Sequence, residues 1–250
     1  MKGKLEHKGQ IFNVNFDEPF DISMCLNASE NATRAWYADV LKIEPVTMGN
    51  WIGNVKKGAS VNFNNIFFNP HAHGTHTECV GHISTNEESV NDALKTFHFM
   101  AQVVTVVPEK IENDFVITIA SLQKIFENKN GVDALIIRTF PNNDSKLTTN
   151  YSDTNPTYID AAAMQYIVGQ NIKHLLLDLP SVDREKDDGA LAAHKIFWEF
   201  PANTQHHKTI TEMIYVGNKI EDGMYLLNLQ MASINNDASP SKPVLYKLIK

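Results

Sequence analysis

Cysteine is scarce in this chain: only Cys25 and Cys79 are present. Two thiols cannot build a disulfide framework, and no Cys-x-x-Cys pair exists to make a thiolate zinc knuckle. Basic runs are also missing. The lysines are scattered and the formal net charge is −7, so the clustered cationic surface that phosphate recognition needs is absent. The first ten residues, Met-Lys-Gly-Lys-Leu-Glu-His-Lys-Gly-Gln, carry charge without the apolar segment of a signal peptide. No apolar run is long enough to cross a bilayer. These absences predict a soluble protein of a reducing, cytoplasmic compartment, with neither nucleic acid nor membrane as a partner. The 43% hydrophobic content is ordinary and suffices to bury one substantial core. No repeat or linker interrupts the chain, so residues 1–250 read as a single domain.

Continuous apolar runs at 101–107, 134–140, 175–179, 224–231 and 244–249 suit strands buried on both faces. Helical signals lie between them. Thr118 is placed to cap a helix that puts Leu122, Ile125 and Phe126 on one face, with Gly131 beyond its end. Thr157 and Asp160 resemble a capping box before a helix over 161–168. Asp187 or Asp188 can start a further helix that runs to Glu199 and is stopped by Pro201. Residues 142–156, rich in Asn, Asp, Ser and Thr, read as a long surface loop. Strands and helices alternate through the second half, which favours an α/β domain.

Histidine is where the chain is rich. His71, His73 and His76 fall within six residues, followed by Glu78 and His82. Imidazole nitrogens and a carboxylate are the donors that Zn or Mn accepts. In an extended segment alternate side chains share a face, so the even offsets of His76, Glu78 and His82 let them converge. The flexible Gly74-Thr75 step can bring His71 or His73 to the same point. Farther on, Glu212 is a carboxylate inside the apolar run Ile210-Thr211-Glu212-Met213-Ile214, costly to bury unless paired or bound to a cation. By spacing alone His194 reads as a satisfied core histidine. Asp178 and Asp183 read as turn and helix-entry residues, Cys79 as a packing residue pointing away from the histidines, and the adjacent His206 and His207 as surface residues. Ser181 lacks a Gly-x-Ser-x-Gly elbow, which argues against a serine hydrolase.

The stretch from His71 to His82 resembles the signature His-x-Gly-Thr-His-x-Asp-x-Pro-x-His of the cyclase-like metal-dependent hydrolases, the family of bacterial kynurenine formamidase and isatin hydrolase. Gly74, Thr75, His76 and His82 match, and Glu78 stands in place of Asp. Phe20-Asp21-Ile22-Ser23, Leu177-Asp178-Leu179-Pro180-Ser181-Val182-Asp183, Ala192-Ala193-His194, Glu212 and Asp237-Ala238-Ser239-Pro240 follow in family-like order. Two positions depart: Ala72 falls where the family has its first histidine, and Val80 where it has proline. A one-residue bulge ahead of Gly74 would let His71 fill the first role, while a local twist would bring in His73.

The resemblance implies a swivelling β/β/α architecture with a mixed sheet core and flanking helices, homodimers or homotetramers with sites near subunit interfaces, and a divalent metal, Zn or Mn. It implies that His71 or His73, with His76, Glu78, His82, His194 and Glu212, holds metal, and that His82 or His194 carries the proton. The implied reaction is hydrolysis of a small amide, an arylformamide or cyclic amide, by metal-activated water. Trp36, Trp51 and Phe67 are candidate aromatic walls. A lactone or cyclic imide is the neighbouring specificity, and Ala72 with Glu78 motivates a catalytically silent binding member as the rival reading.

Overall fold

A computed structural model describes residues 1–250. Seven strands form the frame: β1 (His76–Glu78), β2 (His98–Val106), β3 (Ala134–Thr139), β4 (His174–Leu177), β5 (Thr209–Glu212), β6 (Gly223–Met231) and β7 (Ala238–Ile249). They close into a mixed barrel in the order β1-β7-β6-β2-β3-β4-β5, with β5 returning to β1. β2, β3, β4 and β5 run parallel, and the other pairings are antiparallel. Each apolar run singled out in the sequence falls largely in one of these strands, with residues 107, 140 and 178–179 lying just past the strand ends. β3 and β4 are buried at every residue, because both of their faces are covered.

The architecture is mixed α/β but mostly strand. The parallel strands need crossovers, and these carry the helices α1 (Ile119–Gln123), α2 (Ala161–Gly169) and α3 (Ala192–Phe197). Thr118 caps α1 in a reciprocal box with Ser121. Phe126 is buried although it lies past the end of that helix. α2 begins as expected, but Asp160 itself is the cap, accepting from the Ala163 N–H at 2.6 Å. α3 is shorter than Asp187 or Asp188 predicted. Asp187 spends its carboxylate on the Gly189 and Leu191 amides, and Leu191 is left-handed (φ 46°), so the helix starts only at Ala192.

Two apolar layers share the barrel wall. Ala101, Val103, Ile136, Leu176, Leu227 and Leu245 fill the inside. Val104, Leu135, Ile137, Leu175, Leu177 and Ile210 face outward under the helices. The 142–156 segment is not wholly a surface loop: Asn142 and Tyr151 are buried, and Lys146 reaches in to Asp178 at 2.7 Å. Two further two-stranded hairpins, Lys42–Pro45 with Asn64–Phe67 and Thr47–Met48 with Trp51–Ile52, form sheets separate from the barrel. No helix is long and apolar enough to cross a membrane.

Candidate metal centre

The three-residue strand β1 closes the barrel and carries the centre of the site. Its register pairs His76 with Glu212 on β5 and with Pro240 on β7, and Glu78 with Ile210 and Ala238. Partners in register share a face, so His76 and Glu78 point to the same outer side as Ile210 and Glu212, toward α3. Thr77 points inward and meets Thr211 Oγ1 at 2.8 Å. Gly74 makes the approach possible. It takes φ 63°, and a Cβ there would come within 3.1 Å of the Met24 carbonyl.

Glu78 is the hub. Its Oε1 lies 3.2 Å from His194 Nε2, and its Oε2 lies 3.0 Å from His71 Nδ1 and 3.9 Å from His82 Nδ1. His82 reaches this point from the 3₁₀ turn Val80–His82, where the chain leaves the extended form expected throughout. Glu212 Oε2 is 3.4 Å from His76 Nε2, and its Oε1 is 3.9 Å from His194 Nε2. The structure thus gathers His71, His76, Glu78, His82, His194 and Glu212. It does not gather His73, whose ring is engaged elsewhere: its Nδ1 accepts the Asn69 N–H at 3.0 Å and its Nε2 lies 2.8 Å from the Asp39 carbonyl. His73 is thus bonded away from the cluster, and His71 is the histidine of this turn that reaches it.

Sequence reasoning left two carboxylates without a role in the site. Asp237, immediately before β7, lies 2.7 Å from His71 Nε2 and 3.6 Å from His82 Nδ1. Asp183 accepts from the Ala193 and His194 amides, in keeping with a helix-entry residue, but also binds His194 Nδ1 at 2.6 Å. The Asp-Ala-Ser-Pro and Ser-Val-Asp segments were the available signals.

Charge follows this geometry. Burial alone would lower the His71 and His194 values, but hydrogen bonds to Asp237 and Glu78, and to Asp183 and Glu78, outweigh it and raise both to about 10. Burial would raise Glu78, yet His82, His194 and His71 hold it well below the usual carboxylate range. Burial likewise works against Asp237 and Asp183, and their imidazole partners still hold both below it. Burial pushes the Cys79 thiol up to about 12, which removes it as a nucleophile at neutral pH.

These donors suit a divalent cation. His76 has one nitrogen on the Gly74 carbonyl (Nδ1, 3.2 Å), while its buried Nε2 has no hydrogen-bond partner. His194 and His71 are built alike, each with one nitrogen on an aspartate and the other aimed at Glu78. An imidazole held on one nitrogen has the other aimed at a fixed point, which is how a ligating histidine is oriented. A cation bound there would displace the protons that His71 and His194 carry toward Glu78. A cavity of about 330 Å³ opens over the cluster, lined by Trp36, Asn69, Ser181, Arg184 and Leu191 together with the site residues. Trp51 and Phe67 do not line it; Trp51 packs on Phe63, and Phe67 is exposed. A larger groove of about 910 Å³ lies beside the hairpins near Arg34 and Lys42, away from the histidines.

Residues 20–184, more than half of the chain, match the model of the family described as "Putative cyclase". The chain belongs to the cyclase family. Solved structures with this cyclase fold include a potential metal-dependent hydrolase with cyclase activity, at TM-score 0.65 and 12% identity, covering 92% of this chain and 97% of that one. A predicted metal-dependent hydrolase from Bacillus stearothermophilus superposes at TM-score 0.62 and 14% identity over 92% of this chain and 98% of its own. Isatin hydrolase A from Ralstonia solanacearum does so at TM-score 0.61 and 16% identity over 93% and 92%. At these identities the likeness carries the cyclase-family fold. No curated protein matches the chain.

Proposed function

We propose that this cyclase-family protein is a metal-dependent hydrolase that cleaves an amide bond, an arylformamide or cyclic amide, in a small molecule. The carrying observation is the convergence on Glu78 and Glu212 of three imidazoles, each anchored on one nitrogen. His71, His76 and Glu78 would hold a divalent ion, Zn or Mn, with His82, His194 and Glu212 completing the donor set. Such an ion supplies Lewis acidity, polarising a carbonyl and acidifying water. The chain's own residues do the rest. Asp183 fixes the His194 ring so that its Nε2 faces the reaction side. His82, with a side chain 31% exposed, sits between Glu78 and the cavity and can pass a proton to a departing amine. Trp36 offers a flat apolar wall for an aryl or cyclic substrate, in keeping with the isatin hydrolases among the structural relatives.

The test is metal analysis followed by a panel of formamides, cyclic amides, lactones and cyclic imides. Stoichiometric Zn or Mn with hydrolysis of a formamide or cyclic amide is the expected result. Hydrolysis confined to lactones or imides would move the specificity, and absence of both metal and turnover after supplementation would remove the enzyme reading. One observation favours a second reading: Ala72, in the register of the family's first histidine, is fully buried and offers no donor. Stoichiometric metal without turnover on any panel member would identify a silent binding member.

We also propose that the chain forms homodimers or homotetramers through the hairpins of residues 42–67. Ile43, Met48, Val55, Val61, Phe63, Ile66 and Phe67 are between 44% and 60% exposed there. Isolated two-stranded hairpins are marginal in water, and an apolar patch of this kind marks an interaction surface.

A further inference from the structure

His76 and His194 are held by regular structure, the first on a strand and the second on a helix. His71 lies in the turn before Gly74, outside any strand or helix, with its backbone N–H donating to Asn69 Oδ1 at 2.9 Å. Its orientation comes from a residue 166 positions away, Asp237, whose Oδ2 is 2.7 Å from His71 Nε2. Asp237 is itself fixed. Its carbonyl accepts the Cys79 N–H at 2.9 Å, and a Cβ on Gly81 would meet the Asp237 Cβ at 3.0 Å, so a bare glycine lets the two segments come together. The carboxylate is thereby tied to the same stretch of chain that carries Glu78 and His82.

Resting on the hydrolase reading above, we propose that Asp237 is a positioning residue that recruits His71 to the metal by accepting its Nε2–H and leaving Nδ1 bare toward Glu78. An imidazole has two nitrogens, and only one can face the ion. A carboxylate on the other selects the tautomer and holds the plane of the ring. For His76 the Gly74 carbonyl has that task, and for His194 it is Asp183. The three rings thus share one design with three different acceptors. Asp237 supplies it for the histidine displaced by one residue from the register of Ala72.

The experiment titrates metal-free protein with Zn²⁺ alone, by calorimetry, for the wild type, Asp237→Ala, Asp237→Asn, His71→Ala and the double variant His71→Ala/Asp237→Ala. Asp237→Ala is expected to weaken zinc binding about 10–100-fold at unchanged stoichiometry. Asp237→Asn, which keeps a carbonyl acceptor, recovers part of that loss. In the His71→Ala background Asp237→Ala costs nothing more, because its effect passes through the ring. Affinity within twofold of wild type for Asp237→Ala, a full further loss in the His71→Ala background, or a bound ion fewer in Asp237→Ala alone would overturn the proposal. The last result would make Asp237 a ligand. Should Asp237→Ala fail to fold, nitrogen-15 spectra of the zinc-loaded wild type decide: Nε2–H on His71 with Nδ1 on the metal supports the proposal, and the reverse tautomer overturns it. A wild type that binds no divalent metal removes the hydrolase reading itself. A wild type that binds while Asp237→Ala is unchanged removes only the role of Asp237.

Discussion

His71 and His73 are two residues apart in one turn, and their surroundings give them different work. His73 is satisfied by Asn69 and Asp39, while His71 faces Glu78. His71→Ala should therefore lower zinc affinity by more than the roughly 10–100-fold that losing an outer partner costs. His73→Ala should leave affinity unchanged and cost about 1–2 kcal/mol of stability through lost buried hydrogen bonds. Calorimetric titration beside denaturant unfolding separates the two. A third histidine reports on pH. His174 is buried, bonded to Thr209 Oγ1 at 2.9 Å, and burial lowers its value to about 4. Its folded value lies below the unfolded one, near 6.5, so the unfolded chain takes up the proton first as pH falls. Stability associated with His174 is complete above about pH 6.5 and drains away between there and pH 4, by roughly 3 kcal/mol. His174→Gln should lack that component, which is read as the difference between the two unfolding free energies across the window.

Among the elements, the segment after β3 shows how a polar stretch is bound to the frame. Lys146 Nζ reaches Asp178 Oδ2, the Thr139 carbonyl and the Asn142 side chain. Burial raises Asp178 above the usual carboxylate range even with Lys146 and Thr139 opposing. Lys146→Met would leave this buried carboxylate without its cation, and we expect a loss of about 3–5 kcal/mol in denaturant unfolding. The same segment shows the reach of sequence reading. Its Asn, Asp, Ser and Thr content spoke for a loop, but the partner of Lys146 lies 32 residues on and leaves no local trace. Strands β2, β3, β4 and β6 were legible because continuous apolar runs have few other uses. β1 was not, since three residues carry no period. The site divides in the same way. His76 and Glu78 could be paired by their even offset and Glu212 by its apolar surroundings, whereas His82 arrives through a 3₁₀ turn that the offset did not foresee. Asp237 could not, because only closure of the barrel brings it to His71.

For the molecule as a whole, the barrel is well covered and the hairpins at 42–67 are not. If they associate, replacing Phe63 and Phe67 by Ser should shift the sedimentation mass to that of the 28.1 kDa monomer, with the circular dichroism of the barrel retained. An unchanged mass distribution would overturn association through these hairpins.

The closing strand β1 also governs where this chain can tolerate change. A slip of one residue in a strand turns every side chain to the opposite face. Here it would drive His76 and Glu78 into the apolar interior and expose Thr77. An insertion or deletion within residues 76–78 would thus open the barrel and empty the site together. The turn before Gly74 has no strand register to keep, although Ala72 and His73 are buried in it, and His71 lies at its start. A substitution in that turn moves one side chain, whereas a one-residue change in the strand turns all three.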